Sequence, residues 1–322
     1  MKLLLLIFLG TYIFANDILT NYRLNGIEDI EKQMDLELSK KEYWKKHLLD
    51  KDTKFGYIES YSNLLLCDKS ESTLHFYSRD ENQSFSFKKA YDALTGKMKG
   101  DKKKEGDLKT PIGIYHITKK LSKDTKLDPF YGPLAFVTSY PNIYDSYRGK
   151  NGSGIWIHGL PVEESREEYT RGCIAINNSN IECLDRNIDI EKTVLIIDKI
   201  KPRQNISKET LTSILSQLYA WRYAWIYDDI KGYLNFYSPN FIRNDGMNLS
   251  EFSKYKTRVF KKVEKKSIIF NDISILPYPN TQNIYQINFK EFYKSDTFKF
   301  TGTKTLIIEL DKDENIHILT EK

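Results

Sequence analysis

The stretch GSGIWIHGLP, residues 152–161, followed after a polar interval by YTRGCIAINN, residues 169–178, decides how this chain is read. Ile155 and Ile157 alternate with Trp156 and His158, the two-residue period of a strand, which turns Trp156 and His158 to one face. His158 and Cys173 stand fifteen positions apart, each beside a glycine. A cysteine nucleophile needs a base that takes its proton and holds the thiolate, and neutral imidazole does both near neutral pH. Gly172 lacks a β-carbon, so backbone there can approach a carbonyl closely, and the amides around Cys173 can form an oxyanion hole. Free cysteines are more often core residues than nucleophiles, so the surrounding sequence has to decide.

Outward from this pair, short β-rich runs such as YIESYSNLLLCD, STLHFYS, LAFVTSY and TVLIID alternate with turn-forming stretches from residue 55 to residue 200. They define a mainly β domain over 55–200. KPRQNIS, residues 201–207, reads as a linker whose proline stops the last strand and whose Ser207 caps the next helix. Beyond it, over 208–322, Leu211, Ile214, Leu215, Leu218, Trp221 and Trp225 trace one helical stripe, and strand-like runs follow to Lys322. This is an α+β domain, in which DKDEN, residues 311–315, reads as a hairpin turn rather than a calcium loop because Ile316 and Lys322 replace the glycine and glutamate such a loop needs.

On the other side, residues 16–54 form a helical extension. Ile27, Ile30, Met34 and Leu38 fall at helical spacing, with acids early and lysines late along residues 27–50. Its stripe must bury against the rest of the chain or against a second copy, making a homodimer, and the residues leave both readings open. Residues 1–15, MKLLLLIFLGTYIFA, read as a signal peptide cleaved after Ala15, which places the mature chain outside the cytoplasm.

The chain has 322 residues, a net charge of +5, and 13% aromatic residues, which gives enough apolar surface for several packed domains and excludes a disordered chain. The mild charge falls short of a nucleic-acid binder's basic stripe. Three cysteines cannot staple a scaffold. With Cys173 free, Cys67 and Cys183 are either the one intrachain pair or two buried thiols. His47, His75, His116 and His317 lie singly in helix or strand patterns and read as structural or solvated.

Taken in order, GDLKTPIGIYHI (106–117), YGPLAFVTSYPN (131–142), GSGIWIHGLP and TRGCIAINN resemble the catalytic domain of the L,D-transpeptidases, the YkuD domain. The resemblance implies His158 as base, Cys173 as nucleophile, the Gly159 carbonyl as the group that orients the imidazole, and the Gly172 and Cys173 amides as oxyanion donors. It implies no metal and no cofactor. Transpeptidases of the family commonly carry histidine before the Gly-Cys pair and arginine two residues after the cysteine, where this chain has Arg171 and Ala175. Arg171 is a candidate to bind a stem-peptide carboxylate, against simple pairing with Glu167 or Glu168. Trp156 is a candidate groove wall, against core packing.

The run WRYAWIYDDIKGYLNFYSPNF, residues 221–241, resembles the opening of nuclear-transport-factor-2-like domains. The whole arrangement is similar to the murein L,D-carboxypeptidases that set helical cell shape in Gram-negative bacteria. That resemblance implies a multidomain α+β protein of the periplasm that removes terminal D-Ala from tetrapeptide stems through a Cys thioester. It further implies dimerisation through the N-terminal segment and a glycan or small ligand in the C-terminal pocket. A cross-linking or protein-attaching L,D-transpeptidase is the runner-up, differing only in the acceptor; an inactive murein-binding scaffold is the reading from another class.

Other peptidase chemistries lack their motifs. No HExxH occurs, and the SxxK matches at Ser86–Lys89 and Ser253–Lys256 come without SDN or KTG. KMKGDKKKEGDLK, residues 97–109, reads as a solvated loop or an attractor of anionic stem peptides, with Lys102 to Lys104 as its centre. Asp80 to Ser84 fits an acidic N-glycosylation sequon at Asn82.

Overall fold

A computed structural model describes residues 18–161, 168–199, 206–262 and 264–322. The signal-peptide reading and most of the linker fall outside those residues. Two sheets organise the chain. The first contains β2 (Asn63–Asp68), β3 (Thr73–Arg79), β4 (Phe85–Asp92), β5 (Gly113–Ser122), β6 (Leu134–Thr138), β7 (Trp156–His158), β8 (Ile174–Ala175) and β9 (Thr193–Asp198), in the order β4-β3-β2-β9-β5-β6-β7-β8. Strands β2 and β9 lie parallel at its centre, and every residue in both is buried. Their unbroken apolar runs are what a strand covered on both faces requires.

The second sheet contains β10 (Ser267–Pro277), β11 (Ile284–Lys294), β12 (Lys299–Leu310) and β13 (Ile316–Glu321), antiparallel throughout. A further strand, β1 (Tyr57–Ile58), joins it at the edge, with Tyr57 opposite Ile275. The chain therefore visits the second sheet before entering the first. Residues 311–315 form the β12–β13 turn, where the Asp311 carboxylate accepts amide protons from Asp313 and Asn315.

Among the helices, α1 (18–25), α2 (Ile27–Leu38) and α3 (Lys41–His47) precede the sheets; α4 (Ile143–Tyr147) and α5 (Asn178–Asn187) decorate the first; α6 (Lys208–Ile226), α7 (Ile230–Leu234) and α8 (Leu249–Phe260) cover the second. Helix α6 starts where expected, with Ser207 Oγ accepting the Thr210 amide at 3.0 Å. All six residues of its sequence stripe are buried, and Trp221 is 1% exposed.

The N-terminal extension differs from the single helix its periodicity suggests. It breaks at Ser39 and Lys40 into α2 and α3, and its apolar contribution comes mainly from Trp44 and Leu48, which enter the core around α6. Arg222 of α6 pairs with Asp35 of α2. Of the expected stripe, Ile30 is buried, while Ile27 and Met34 remain exposed. Burial within the same chain is thus one of the two readings, and an apolar face is still left over.

The sheets meet through a shared apolar cluster in which Ile58, Leu64, Tyr144 and Val194 pack with Leu276, Tyr278 and Leu319. Polar contacts reinforce it: Asn142 Nδ2 donates to Tyr278 Oη at 2.9 Å, and Tyr147 Oη donates to the Asn240 carbonyl at 3.2 Å. Behind them lies a buried ion network. Lys150 Nζ sits 2.9 Å from Asp145 Oδ1 and 2.6 Å from Asp101 Oδ2.

The cysteines are all free thiols. Cys67 is fully buried in β2, and burial pushes its thiol up to about 12; Cys183 lies half-buried on α5. The disulfide alternative is therefore not the one adopted. Asn82 stands exposed in the β3–β4 turn. No helix among the described residues is long and apolar enough to cross a membrane.

Candidate active site

Strands β7 and β8 build the site. They pair in parallel, Ile157 opposite Ile174 and His158 opposite Ala175. Both isoleucines are fully buried in the core. Cys173 precedes Ile174 by one residue, so strand alternation turns it to the face that carries His158. Register thus places the two sequence-selected residues on one face.

His158 is 1% exposed, and its Nδ1 lies 2.6 Å from the Gly159 carbonyl. A carbonyl only accepts, so Nδ1 carries the proton and Nε2 is left with the lone pair. Tyr131 packs edge-on to the imidazole, centroids 5.1 Å apart, and lies 4.7 Å from the Trp156 ring. Trp156 is half-buried and stands on this aromatic wall, whereas its neighbours Ile155 and Ile157 enter the core.

Asn178, at the start of α5, holds the segment after His158. Its Oδ1 accepts the Leu160 amide at 2.7 Å, and its Nδ2 donates to the Leu160 carbonyl at 3.0 Å. A β-carbon on Gly159 would come within 2.4 Å of Asn178 Oδ1, so only glycine permits this approach. Asn178 is a positioning residue for the carbonyl that orients His158.

Cys173 is half-buried, and its Sγ donates to the Gly154 carbonyl at 3.3 Å. Gly172 adopts φ 136°, and a β-carbon there would meet the Lys109 carbonyl at 2.8 Å. Its amide donates to Thr170 Oγ1 at 3.0 Å, while the same hydroxyl donates to the Cys173 carbonyl at 2.7 Å. The expected oxyanion role of Gly172 would therefore require its amide to leave Thr170. Arg171 is exposed, and among the described residues no carboxylate lies within ion-pair distance of it; Glu167 is outside them. Ala175 is 1% exposed.

Tyr131, Asn178, Thr170 and the Gly154 carbonyl were not singled out from the sequence. Tyr131 sits in the YGP run and Asn178 ends the CIAINN run, so both signals were in segments already marked. Among the described residues no group of three or more His, Cys, Asp or Glu side chains could hold a metal ion.

A buried imidazole with a fixed tautomer, on the same face as a cysteine that enters a strand next to a glycine, makes a candidate thiol site. Residues 62–197 match the L,D-transpeptidase catalytic domain, YkuD, and residues 213–322 match the Cds6 C-terminal NTF2-like domain. The chain is 36% identical to the helical cell shape determining protein Pgp2 from Campylobacter jejuni, over 88% of this chain and 99% of that one, with a TM-score of 0.79. A point mutant of the same protein gives 0.80 over 89% of this chain. Bd1075 from Bdellovibrio bacteriovorus is 28% identical over 81% of this chain and 92% of its own, at 0.64. No curated protein matches. The chain belongs to the YkuD family of L,D-transpeptidase-type proteins, in the branch that adds a C-terminal NTF2-like domain.

Proposed function

We propose that this chain is an exported murein L,D-carboxypeptidase that trims tetrapeptide stems and so helps set cell shape; the support for the cell-shape part is its likeness to Pgp2, a helical cell shape determining protein. The supporting observation is the 2.6 Å contact from His158 Nδ1 to the Gly159 carbonyl, which leaves Nε2 basic on the face of Cys173. Cys173 Sγ attacks the diaminopimelate carbonyl as its proton passes to His158 Nε2. The tetrahedral intermediate collapses, D-Ala leaves with that proton, and a thioester remains. Water, deprotonated by His158, then attacks the thioester and returns the thiol with a tripeptide stem. Arg171, exposed and without a carboxylate partner among the described residues, binds a stem carboxylate, and Trp156 with Tyr131 walls the groove.

A transpeptidase would use the same first step and an amine in the second. Hydrolysis is favoured by Ala175, a buried methyl where transpeptidases of the family commonly carry arginine. Incubation with disaccharide tetrapeptide should yield tripeptide and free D-Ala by mass spectrometry. Cross-linked dimers without tripeptide would overturn this reading.

The N-terminal face supports a homodimer, since Leu24, Ile27, Met34 and Leu36 are 63%, 54%, 40% and 45% exposed. Sedimentation velocity should show a dimer that Ile27→Lys with Met34→Lys converts to monomer; a wild-type monomer sinks it. The C-terminal cavity of about 590 Å³ supports the ligand-binding reading. Lys256 Nζ lies 4.2 Å from the Trp225 ring centroid, and burial lowers its ammonium to about 8. A glycan fragment bearing carboxylates should bind there and be weakened about tenfold by Lys256→Ala; equal affinity would exclude the pocket.

A further inference from the structure

The lysine-rich segment after residue 96 does not behave as one unit. Lys102 is 3% exposed and pairs with Asp107 at 2.9 Å. Burial works against the charge on Asp107, but the Lys103, Lys104 and Lys109 amides and the Lys102 ammonium hold its carboxyl down to about 2. Lys102 therefore fastens the loop and cannot attract a ligand. The exposed lysines that precede it, Lys97 and Lys99, have a different setting.

Residues 94–97 run along the segment that carries the nucleophile. The Leu94 amide donates to the Ala175 carbonyl at 2.8 Å, and the Leu94 carbonyl accepts the Ala175 amide in return at 2.9 Å; the Lys97 amide donates to the Thr170 carbonyl at 2.9 Å. Between this segment, the β2–β3 turn and the end of β9 lies a cavity of about 420 Å³. Among the described residues that line it are the lysines Lys69, Lys97, Lys99 and Lys199 and one carboxylate, Glu168. Lys69 Nζ is committed to the Gly100 carbonyl at 2.5 Å and to the Thr110 carbonyl, so it fixes the cavity wall. Lys97 Nζ lies 2.9 Å from Tyr169 Oη and 4.5 Å from that ring's centroid, placing its charge on the rim nearest Thr170.

We propose that this cavity docks the carboxylate end of a second, uncut stem peptide next to the one held at Cys173. The proposal rests on the murein reading above. Apart from Lys69, the ammonium groups come from two separate segments, residues 94–99 and the end of β9, which suits a ligand with carboxylates spaced along a peptide better than one compact phosphate. Lysine supplies point charges without the planar fork that phosphate or a single carboxylate would select. The volume of about 420 Å³ admits the end of a short peptide. Docking there would keep the enzyme on murein as successive stems are trimmed.

The test uses the full chain carrying Cys173→Ala, with backbone amide resonances followed as the uncut alanyl-glutamyl-diaminopimelyl-alanine tetrapeptide is added. Lys97, Lys99, Tyr169 and Lys199 should shift as one set, separately from Gly159 and residue 173. In the Lys97→Gln, Lys99→Gln, Lys199→Gln triple variant the first set should need at least about tenfold more peptide while the second is unchanged. A first set that never moves, or that moves equally in the triple variant, overturns the proposal. Inorganic phosphate moving the first set at the peptide's concentration overturns the peptide assignment. Failure of the murein reading looks different: the set around Gly159 stays still.

Discussion

Cys173→Ala should abolish D-Ala release from tetrapeptide stems, with a rate loss of roughly 10⁴-fold or more, while the folded chain keeps its thermal midpoint within a few degrees. The loss is large because covalent catalysis has no substitute once the sulfur is gone; water would have to attack an unactivated amide directly. The fold is spared because the thiol's hydrogen bond to the Gly154 carbonyl is weak, and the packed face of β7 and β8 belongs to Ile157 and Ile174. Mass spectrometry of the digest reads the outcome. Activity within tenfold of wild type would remove Cys173 from the nucleophile's role.

The largest stability effect is expected at Asp145. Its carboxylate is wholly buried and is shared by Tyr115 Oη at 3.0 Å, Arg148 Nη2 at 3.1 Å and Lys150 Nζ at 2.9 Å, besides receiving the Asn142 amide at 3.2 Å. Asp145→Ala leaves the Lys150 ammonium, itself 5% exposed in its side chain, with Asp101 alone, and removes the carboxylate half of the capping box at the start of α4, while the Asn142 cap on the residue 145 amide remains. Removing one partner of a buried ion pair costs about 3–5 kcal/mol. Urea unfolding should show that loss, and Asp145→Asn, which keeps the shape and part of the hydrogen bonding, should lie between. A change below about 1 kcal/mol for the alanine variant would mean the network is solvated.

The shared face of the proposed pair, His158 and Cys173, was legible because its constraints are local. A glycine beside each residue and strand alternation around Trp156 and His158 were enough to bring the nucleophile and base to one face. The α6 stripe was legible for the same reason, with six apolar positions and a serine cap inside one continuous segment. What sequence could not give was anything decided by partners far along the chain. Strand β1 has only two residues, and its partner Ile275 follows more than 200 positions later. The break at Ser39 and Lys40 depends on Trp44 and Leu48 reaching the core around α6. Lys102 read as a surface charge because nothing local announces that Asp107 folds back over it. The cysteine pairing was left open by count, and only the burial of Cys67 in a central strand closed it.

Strand β1 has a consequence for how this enzyme can be divided. The chain enters the catalytic sheet only after hydrogen-bonding into the sheet of the other domain, where Glu59 also accepts the Ile273 amide and donates its own to the Ile273 carbonyl. A catalytic fragment cut before residue 206 would keep that strand without its mate and expose the apolar surface of Ile58, Leu64 and Val194. The enzyme is therefore not a cassette that can be lifted out and transplanted; the domain that follows it in sequence is also its foundation.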